Sequence, residues 1–312
     1  MKYACVFPGQ GSQSPGMMNG YAGFAVVRAT FDEASEVLGE DLWTLVNEGP
    51  ADRLDLTVNT QPLMLTADVA VYRAWESLGK APPSFVAGHS LGEYAALVAA
   101  AALTFADAVS LVHFRAEMMQ QAVPEGAGGM AAILGLDDES VRRVCRQVVE
   151  SSHGELVEPA NFNSPGQVVI SGHRNAVVRG MELALSAGAR RALMLPVSVP
   201  SHCSLMSRAA ERMRQKLEQV TFMSPRIPVL HNADVRWHAD PAEIKGILVR
   251  QLCEPVRWTE TVHALAAAGI HQVLECGPGK VLSGLIKRIE PNMRGSALTD
   301  DVAIRRTAEA LA

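Results

Sequence analysis

Phe85-Val86-Ala87-Gly88-His89-Ser90-Leu91-Gly92-Glu93 is a short apolar run that breaks into Gly-x-Ser-x-Gly and continues as an alanine- and leucine-rich stretch to Leu103. A strand, a sharp turn and a helix are the context of a nucleophile elbow. The serine sits at a strained, exposed corner, and glycines two positions to either side remove the Cβ atoms that would clash there. The turn also leaves the Leu91 N–H unpaired at a helix N-terminus, where it can donate to the oxygen of a tetrahedral intermediate. Acyl transfer through an ester on Ser90 is therefore the leading expectation, and a chance match in an ordinary loop is the alternative.

Working outward, Tyr3 to Phe7 reads as a buried strand that enters a glycine- and glutamine-rich turn over 8–13, and helical patterns follow around 22–38 and 61–78. Beyond the elbow, Thr104-Phe105-Ala106-Asp107 is a helix start signal for a helix reaching about Val123. Strands alternating with helices predict a mostly parallel sheet, an α/β-hydrolase-like large domain. The glycine cluster over 124–129 reads as a hinge. Residues 130–197 then run strand, helix, strand, strand, helix, strand, the β-α-β-β-α-β order of a small ferredoxin-like domain. The expected organisation is a large catalytic domain from 1–126 and 198–312, interrupted by a small inserted domain over 127–197. The returning chain reads as a helix over 204–220, a strand over 229–231, helices over 241–252 and 259–268, a strand over 272–276 and a terminal helical region.

Composition narrows the function classes. At 312 residues and 48% hydrophobic content, the chain can bury a large core. The absence of any apolar run of membrane-spanning length, and a first strand that begins directly after Lys2, leave neither a span nor a signal peptide to expect. Cys5, Cys145, Cys203, Cys253 and Cys276 are scattered and never paired as C-x-x-C, which argues against a disulfide framework and a zinc site and fits a cytoplasmic protein. A net charge of −5, with few aromatics and no basic clusters between them, gives no footprint for nucleic acid.

Arg115 is the second informative residue. Ala108, Leu111, Val112, Met118, Met119 and Ala122 repeat at helical spacing, and Arg115 falls on the same apolar stripe. A guanidinium there needs an anion. The candidates are an internal carboxylate such as Glu93 or Asp107, water reached by snorkelling, or a substrate carboxylate held by two hydrogen bonds. The base is open among nine histidines: His89, His113, His153, His173, His202, His231, His238, His263 and His271. His89 adjoins the serine but leaves the opposite side of the turn, which suits packing. His202, in the proline-stiffened loop Pro196-Val197-Ser198-Val199-Pro200-Ser201-His202-Cys203, is the better candidate, with an ordinary polar loop residue as its alternative. No acid between serine and histidine stands out as a third triad member, so a dyad oriented by an amide or a main-chain carbonyl is sufficient. The turn over 8–13 lacks the Gly-Lys-Ser/Thr ending of a phosphate loop, and a backbone donor at Gln10 could complete an oxyanion hole with Leu91. The amide-rich turn over 161–167 and the turn over 275–280 are as readily structural as ligand contacts. No metal motif is present, and no metal is expected.

Phe7-Pro8-Gly9-Gln10-Gly11-Ser12-Gln13, Thr60-Gln61-Pro62, Gly88-His89-Ser90-Leu91-Gly92-Glu93-Tyr94, Arg115, Asn161-Phe162-Asn163-Ser164-Pro165-Gly166-Gln167, Val199-Pro200-Ser201-His202 and Gly277-Pro278-Gly279-Lys280 follow one another in order. With them the chain resembles the bacterial malonyl-CoA:acyl carrier protein transacylases, from about residue 3 to about residue 300, in the discrete type II form. The resemblance implies Ser90 as nucleophile, His202 as base and acid, Arg115 as the clamp on a malonyl carboxylate, and the Gln10 and Leu91 amides as oxyanion donors. It implies Gln251 as the residue whose main-chain carbonyl orients the histidine. Gln61, Asn163, Met119 and Ser201 are implied as substrate-pocket residues. The partners implied are a coenzyme A thioester and an acyl carrier protein, without a bound cofactor, and a monomer is expected. Because carrier proteins are acidic, Arg190, Arg191, Lys287 and Arg288 are candidate docking residues, with solvated surface charge as the alternative. A serine esterase, a trans-acting acyltransferase of a polyketide synthase and a non-catalytic scaffold are the competing functions, and Arg115 is what a plain esterase would not need.

Overall fold

Every residue of β1 (Tyr3–Phe7) is buried, as expected of a strand with neighbours on both sides and helices on both faces. Its side chains alternate: Tyr3, Cys5 and Phe7 enter the larger hydrophobic core, and Ala4 and Val6 enter a second core on the opposite face. The computed structural model describes residues 2–152, 154–197 and 199–311; His153 and Ser198, both named above, lie outside the described residues.

In chain order β1 is followed by α1 (Ala25–Leu38), α2 (Leu42–Glu48), α3 (Ala51–Asp55), α4 (Thr57–Glu76), β2 (Phe85–Gly88), α5 (Gly92–Ala99) and α6 (Phe105–Gln121). Then come β3 (Gly128–Leu134), α7 (Asp138–Ser151), β4 (Val157–Ser164), β5 (Gln167–His173), α8 (Arg174–Ser186) and β6 (Arg191–Met194). The chain closes with α9 (Ser207–Glu218), β7 (Val229–Leu230), α10 (Pro241–Gln251), α11 (Trp258–Ala267), β8 (Gln272–Glu275), α12 (Val281–Ile289), β9 (Arg294–Ala297) and α13 (Asp301–Ala310).

The fold is mixed α/β with two sheets. One has the order β7-β2-β1-β8-β9, and all of its pairings are parallel. The other has the order β4-β5-β3-β6 and is antiparallel. Helices α7 and α8 pack on one face of the antiparallel sheet, around Ile133, Val168 and Ile170. The opposite face carries Met130, Val169, Leu195 and Val197. β4 is tied to the other half of the molecule by Phe162 N–H donating to Val256 O and Val256 N–H donating to Ala160 O, both at 2.9 Å.

Several expectations are corrected at element ends. The glycine cluster is only partly a hinge, because Gly128 and Gly129 already pair with His173 and Gly172 in β5. The elbow helix stops at Ala99 rather than Leu103, because Ala101 turns left-handed at φ +54° and the Ala101 and Ala102 N–H groups fold back to donate to the Val98 and Leu97 carbonyls, closing the last turn. Helix α4 starts at Thr57, four residues earlier than its pattern suggested, because Pro62 is tolerated inside it at the loss of one N–H donor. Two short helices, α2 and α3, and the edge strand β9 carry no pattern strong enough to have been read.

Candidate active site

The elbow forms where β2 meets α5. A Cβ on Gly88 would lie 1.9 Å from Gly92 C, and one on Gly92 would lie 2.1 Å from Phe7 O, so only glycine fits at either position. Between them Ser90 has φ +53°. For a residue with a side chain this left-handed conformation costs about 1–3 kcal/mol and persists only where the surroundings fix it. His202 shares it, with φ +60°.

Those two residues meet. Ser90 Oγ donates to His202 Nε2 at 2.7 Å, and His202 Nδ1 donates to the main-chain oxygen of Gln251 at 2.7 Å. A carbonyl can only accept, so it fixes the proton on Nδ1 and leaves the Nε2 lone pair facing the hydroxyl. Burial, and then the nearby Arg115 charge, push the imidazole pKa down to about 3, so it is a neutral base at neutral pH. The other histidines within the described residues are engaged elsewhere or remote from the hydroxyl. His89 Nε2 donates to Asn163 Oδ1 at 2.8 Å and its ring stacks near Trp258. His231 Nδ1 donates to Glu93 Oε1 at 2.7 Å.

Arg115 comes from α6 and is 2% exposed. Nη1 donates to Gln61 Oε1 at 2.7 Å, and Nη2 donates to Gln251 Oε1 at 3.1 Å and to Ser90 Oγ at 3.3 Å. Neither internal carboxylate considered above pairs with it directly. Asp107 bonds to the N-cap residue Thr104. The Glu93 oxygens accept from His231, from the Asn232 N–H and from Gln251 Nε2 at 3.0 Å. Countercharge therefore reaches the guanidinium through one amide, Gln251, and Arg115 Nε has no partner among the described residues. Burial lowers the guanidinium pKa, offset by Tyr94 and Glu93, and Cζ lies 5.9 Å from the Tyr94 ring centroid. A buried cation with spare donors, beside a hydroxyl already paired to a base, can grip an anionic acyl group while the hydroxyl attacks its other end.

Serine, base and cation open onto one cavity of about 130 Å³, also lined by Gln10, Gln61, Leu91, Met119 and Ser201. That is well below the roughly 300–1,000 Å³ of clefts that enclose drug-sized ligands, so the chamber suits a short acyl group. The N–H groups of Gln10 and Leu91 have no hydrogen-bond partner among the described residues, which leaves both free to donate into it.

The acyl transferase domain family matches residues 4–291. The chain belongs to the acyl transferase family. The acyltransferase is 53% identical over 304 residues to the malonyl CoA-acyl carrier protein transacylase of Salmonella typhimurium, covering 97% of each chain. Its fold matches the acyl-carrier-protein S-malonyltransferase of Burkholderia pseudomallei with a TM-score of 0.96 at 54% identity, covering 99% of this chain and 100% of that one. It also matches a malonyl-transacylase solved in complex with its type II PKS acyl-carrier protein, with a TM-score of 0.97 at 49% identity, covering 99% and 100%.

Other residues of the acyltransferase fall as follows. Asn161, not Asn163, lines the cavity; Asn163 reaches the site only through His89. Met119 Sδ accepts from Gln61 Nε2 at 3.5 Å, which orients that amide toward Arg115. The four basic residues lie away from the cavity wall. Arg190, Arg191, Lys287 and Arg288 are exposed, and Arg288 Nη1 donates to Gln167 Oε1 at 2.9 Å. Gln167 and Arg191 flank Leu134 in the antiparallel sheet, which brings Arg191 and Arg288 to one end of that sheet. Sequence reasoning missed Asn232 and the fixing role of Glu93. The partners of Asn232 lie 139 or more positions away, a separation without a local signal.

Proposed function

We propose that this acyltransferase moves a malonyl group from coenzyme A to the phosphopantetheine thiol of acyl carrier protein, through an ester on Ser90, in fatty acid synthesis. The observation that carries the reading is the buried Arg115 guanidinium 3.3 Å from the Ser90 hydroxyl, with no carboxylate directly on it among the described residues. His202 takes the Ser90 proton as Oγ attacks the thioester carbon, and the Gln10 and Leu91 N–H groups receive the oxyanion. The tetrahedral intermediate expels the coenzyme A thiolate, which leaves with the proton from His202. The carrier thiol then enters, gives its proton to His202 and attacks the ester carbon, and the collapsing intermediate releases Ser90 Oγ, which takes that proton back from His202. Every group this chemistry needs comes from the chain or the two substrates.

The strand order β4-β5-β3-β6 with both helices on one face supports reading 127–197 as a ferredoxin-like insertion. The parallel order β7-β2-β1-β8-β9 supports an α/β-hydrolase-like domain over 1–126 and 198–312. The grouping of Arg191 and Arg288 supports carrier docking at that sheet end, with Arg190 and Lys287 beside them.

Two experiments test the reaction. Incubation with malonyl-CoA alone, followed by peptide mass spectrometry, should find a malonyl adduct on the Ser90 peptide; an unmodified peptide from active protein rejects the nucleophile. The second measures acylation across pH. Because burial and Arg115 both disfavour the imidazolium, kcat/KM for acylation should hold far below pH 6.5, the ordinary histidine value. In the bound complex the malonyl carboxylate compensates Arg115, so the acid limb of single-turnover acylation at saturating substrate should lie at higher pH than that of kcat/KM. An acid limb near 6.5 in kcat/KM contradicts the assignment of His202 as the desolvated base.

A further inference from the structure

Both main-chain groups of Ser90 are held by side-chain amides from distant parts of the chain. Asn232 Oδ1 accepts from Ser90 N–H at 2.7 Å, and Asn232 Nδ2 donates to Gly88 O at 2.6 Å. Gln251 Nε2 donates to Ser90 O at 2.9 Å. A single amide plane thus spans the elbow from the last residue of β2 to the serine, and satisfies two main-chain groups that the tight turn takes out of sheet and helix pairing. Asn232 is itself fixed, because its own N–H donates to Glu93 Oε2 at 3.0 Å and its neighbour His231 donates to Glu93 Oε1. Glu93, His231 and Asn232 are all buried. Glu93 also accepts from Gln251 Nε2, so one carboxylate sets both amides that grip the serine backbone.

We propose that Asn232 is a positioning residue, which with Glu93 behind it clamps Gly88 and Ser90 so that the hydroxyl stays on the His202 lone pair. Asn232 does not line the cavity, so it acts through Ser90 and not on substrate. Only an amide serves: Oδ1 must accept from an N–H while Nδ2 donates to a carbonyl. An aspartate of the same shape would turn an oxygen toward Gly88 O. The consequence of losing Asn232 belongs to the attack step, since Asn232 touches neither Arg115 nor the acyl chamber, and Glu93 reaches Arg115 only through Gln251.

The inference rests on Ser90 being the nucleophile, and the test separates the two. Wild type, Asn232→Ala, Asn232→Asp and Ser90→Ala are exposed to an uncharged alkyl fluorophosphonate, and phosphonylation is followed by intact mass. The Ser90 oxygen bonds to phosphorus, fluoride leaves, and the serine proton passes to His202 and then to solvent. Single-turnover acylation and the KM for malonyl-CoA are measured alongside. Both Asn232 variants should lose about 100-fold in phosphonylation and acylation rate, as a misplaced nucleophile does, with KM within about threefold of wild type. A role confined to stability would lower the melting temperature without moving phosphonylation measured well below it. If the alanine variant does not fold, the isosteric aspartate variant carries the test. Wild-type rates in either folded variant overturn the clamp alone, whereas a wild type that takes neither the phosphonyl nor the malonyl group on Ser90 overturns the nucleophile and the clamp with it.

Discussion

Arg115→Ala should lose malonyl transfer by roughly 30- to 5,000-fold in kcat/KM, corresponding to the ~2–5 kcal/mol of truncating one partner of a buried charge pair. Transfer of an uncharged acyl group such as acetyl should be kept or gained. The two halves of this expectation have different causes. A malonyl carboxylate entering the chamber leaves water, and among the described lining residues the guanidinium is the one cation to compensate its charge there, so without Arg115 that desolvation is unrepaid. An acetyl group asks nothing of the guanidinium. It must instead tolerate a buried cation 3.3 Å from the attacking oxygen, one that also disfavours the imidazolium formed on His202. Removing the cation relieves that penalty, while the amides of Gln61 and Gln251 lose a donor they can replace with water in the space left behind. Arg115→Lys should fall between the two, since a point charge cannot reach Gln61, Gln251 and a carboxylate at once. Measured with malonyl-CoA and acetyl-CoA side by side, an equal loss for both would remove the clamp and leave only a general contribution to folding.

The parts of the site that could be read in the sequence are those whose chemistry is local. Gly88-His89-Ser90-Leu91-Gly92 announces its turn because the glycines are needed within a few residues of the serine, where a Cβ would overlap the backbone. Arg115 announced itself through its own helix, since a cation on an apolar stripe needs a reason, although the sequence left Glu93 and Asp107 open as partners and the structure uses neither directly. His202 was legible as a fixed loop residue, not by its partner. Gln251 acts on it through a main-chain oxygen, which any residue supplies and no side chain signals. The edge strand β9 depends on pairing with β8, and Arg294-Gly295-Ser296-Ala297 has no strand character of its own. The elbow helix ends early through a left-handed cap at Ala101, a conformation that an alanine does not signal. Local pattern fixed where the serine sits; distant contacts decided how it is held.

His202→Ala should cut Ser90 acylation by about 10³-fold or more, at the upper part of what a positioned base contributes, while His89→Ala should cost at most about tenfold. The contrast is sharp because the two imidazoles are both buried, both near the serine and both depressed in pKa by burial. Proximity and titration therefore do not separate them; the direction of the ring does. His89 spends Nε2–H on Asn163 and packs against Trp258, so its loss loosens a wall of the site. His202 presents a lone pair to the hydroxyl because Gln251 O holds the proton on the other nitrogen. A carbonyl orients as a carboxylate does but brings no full negative charge to stabilise the imidazolium. Next to Arg115 that imidazolium is costly, and under the proposed clamp the substrate carboxylate would supply the missing charge on binding. On that proposal the base should be strongest when a malonyl group occupies the chamber, so that acyl selectivity extends from binding into the proton-transfer step. Acylation rates for the two alanine variants, each checked for folding, decide the matter: a larger loss at His89 would reassign the base and take this coupling with it.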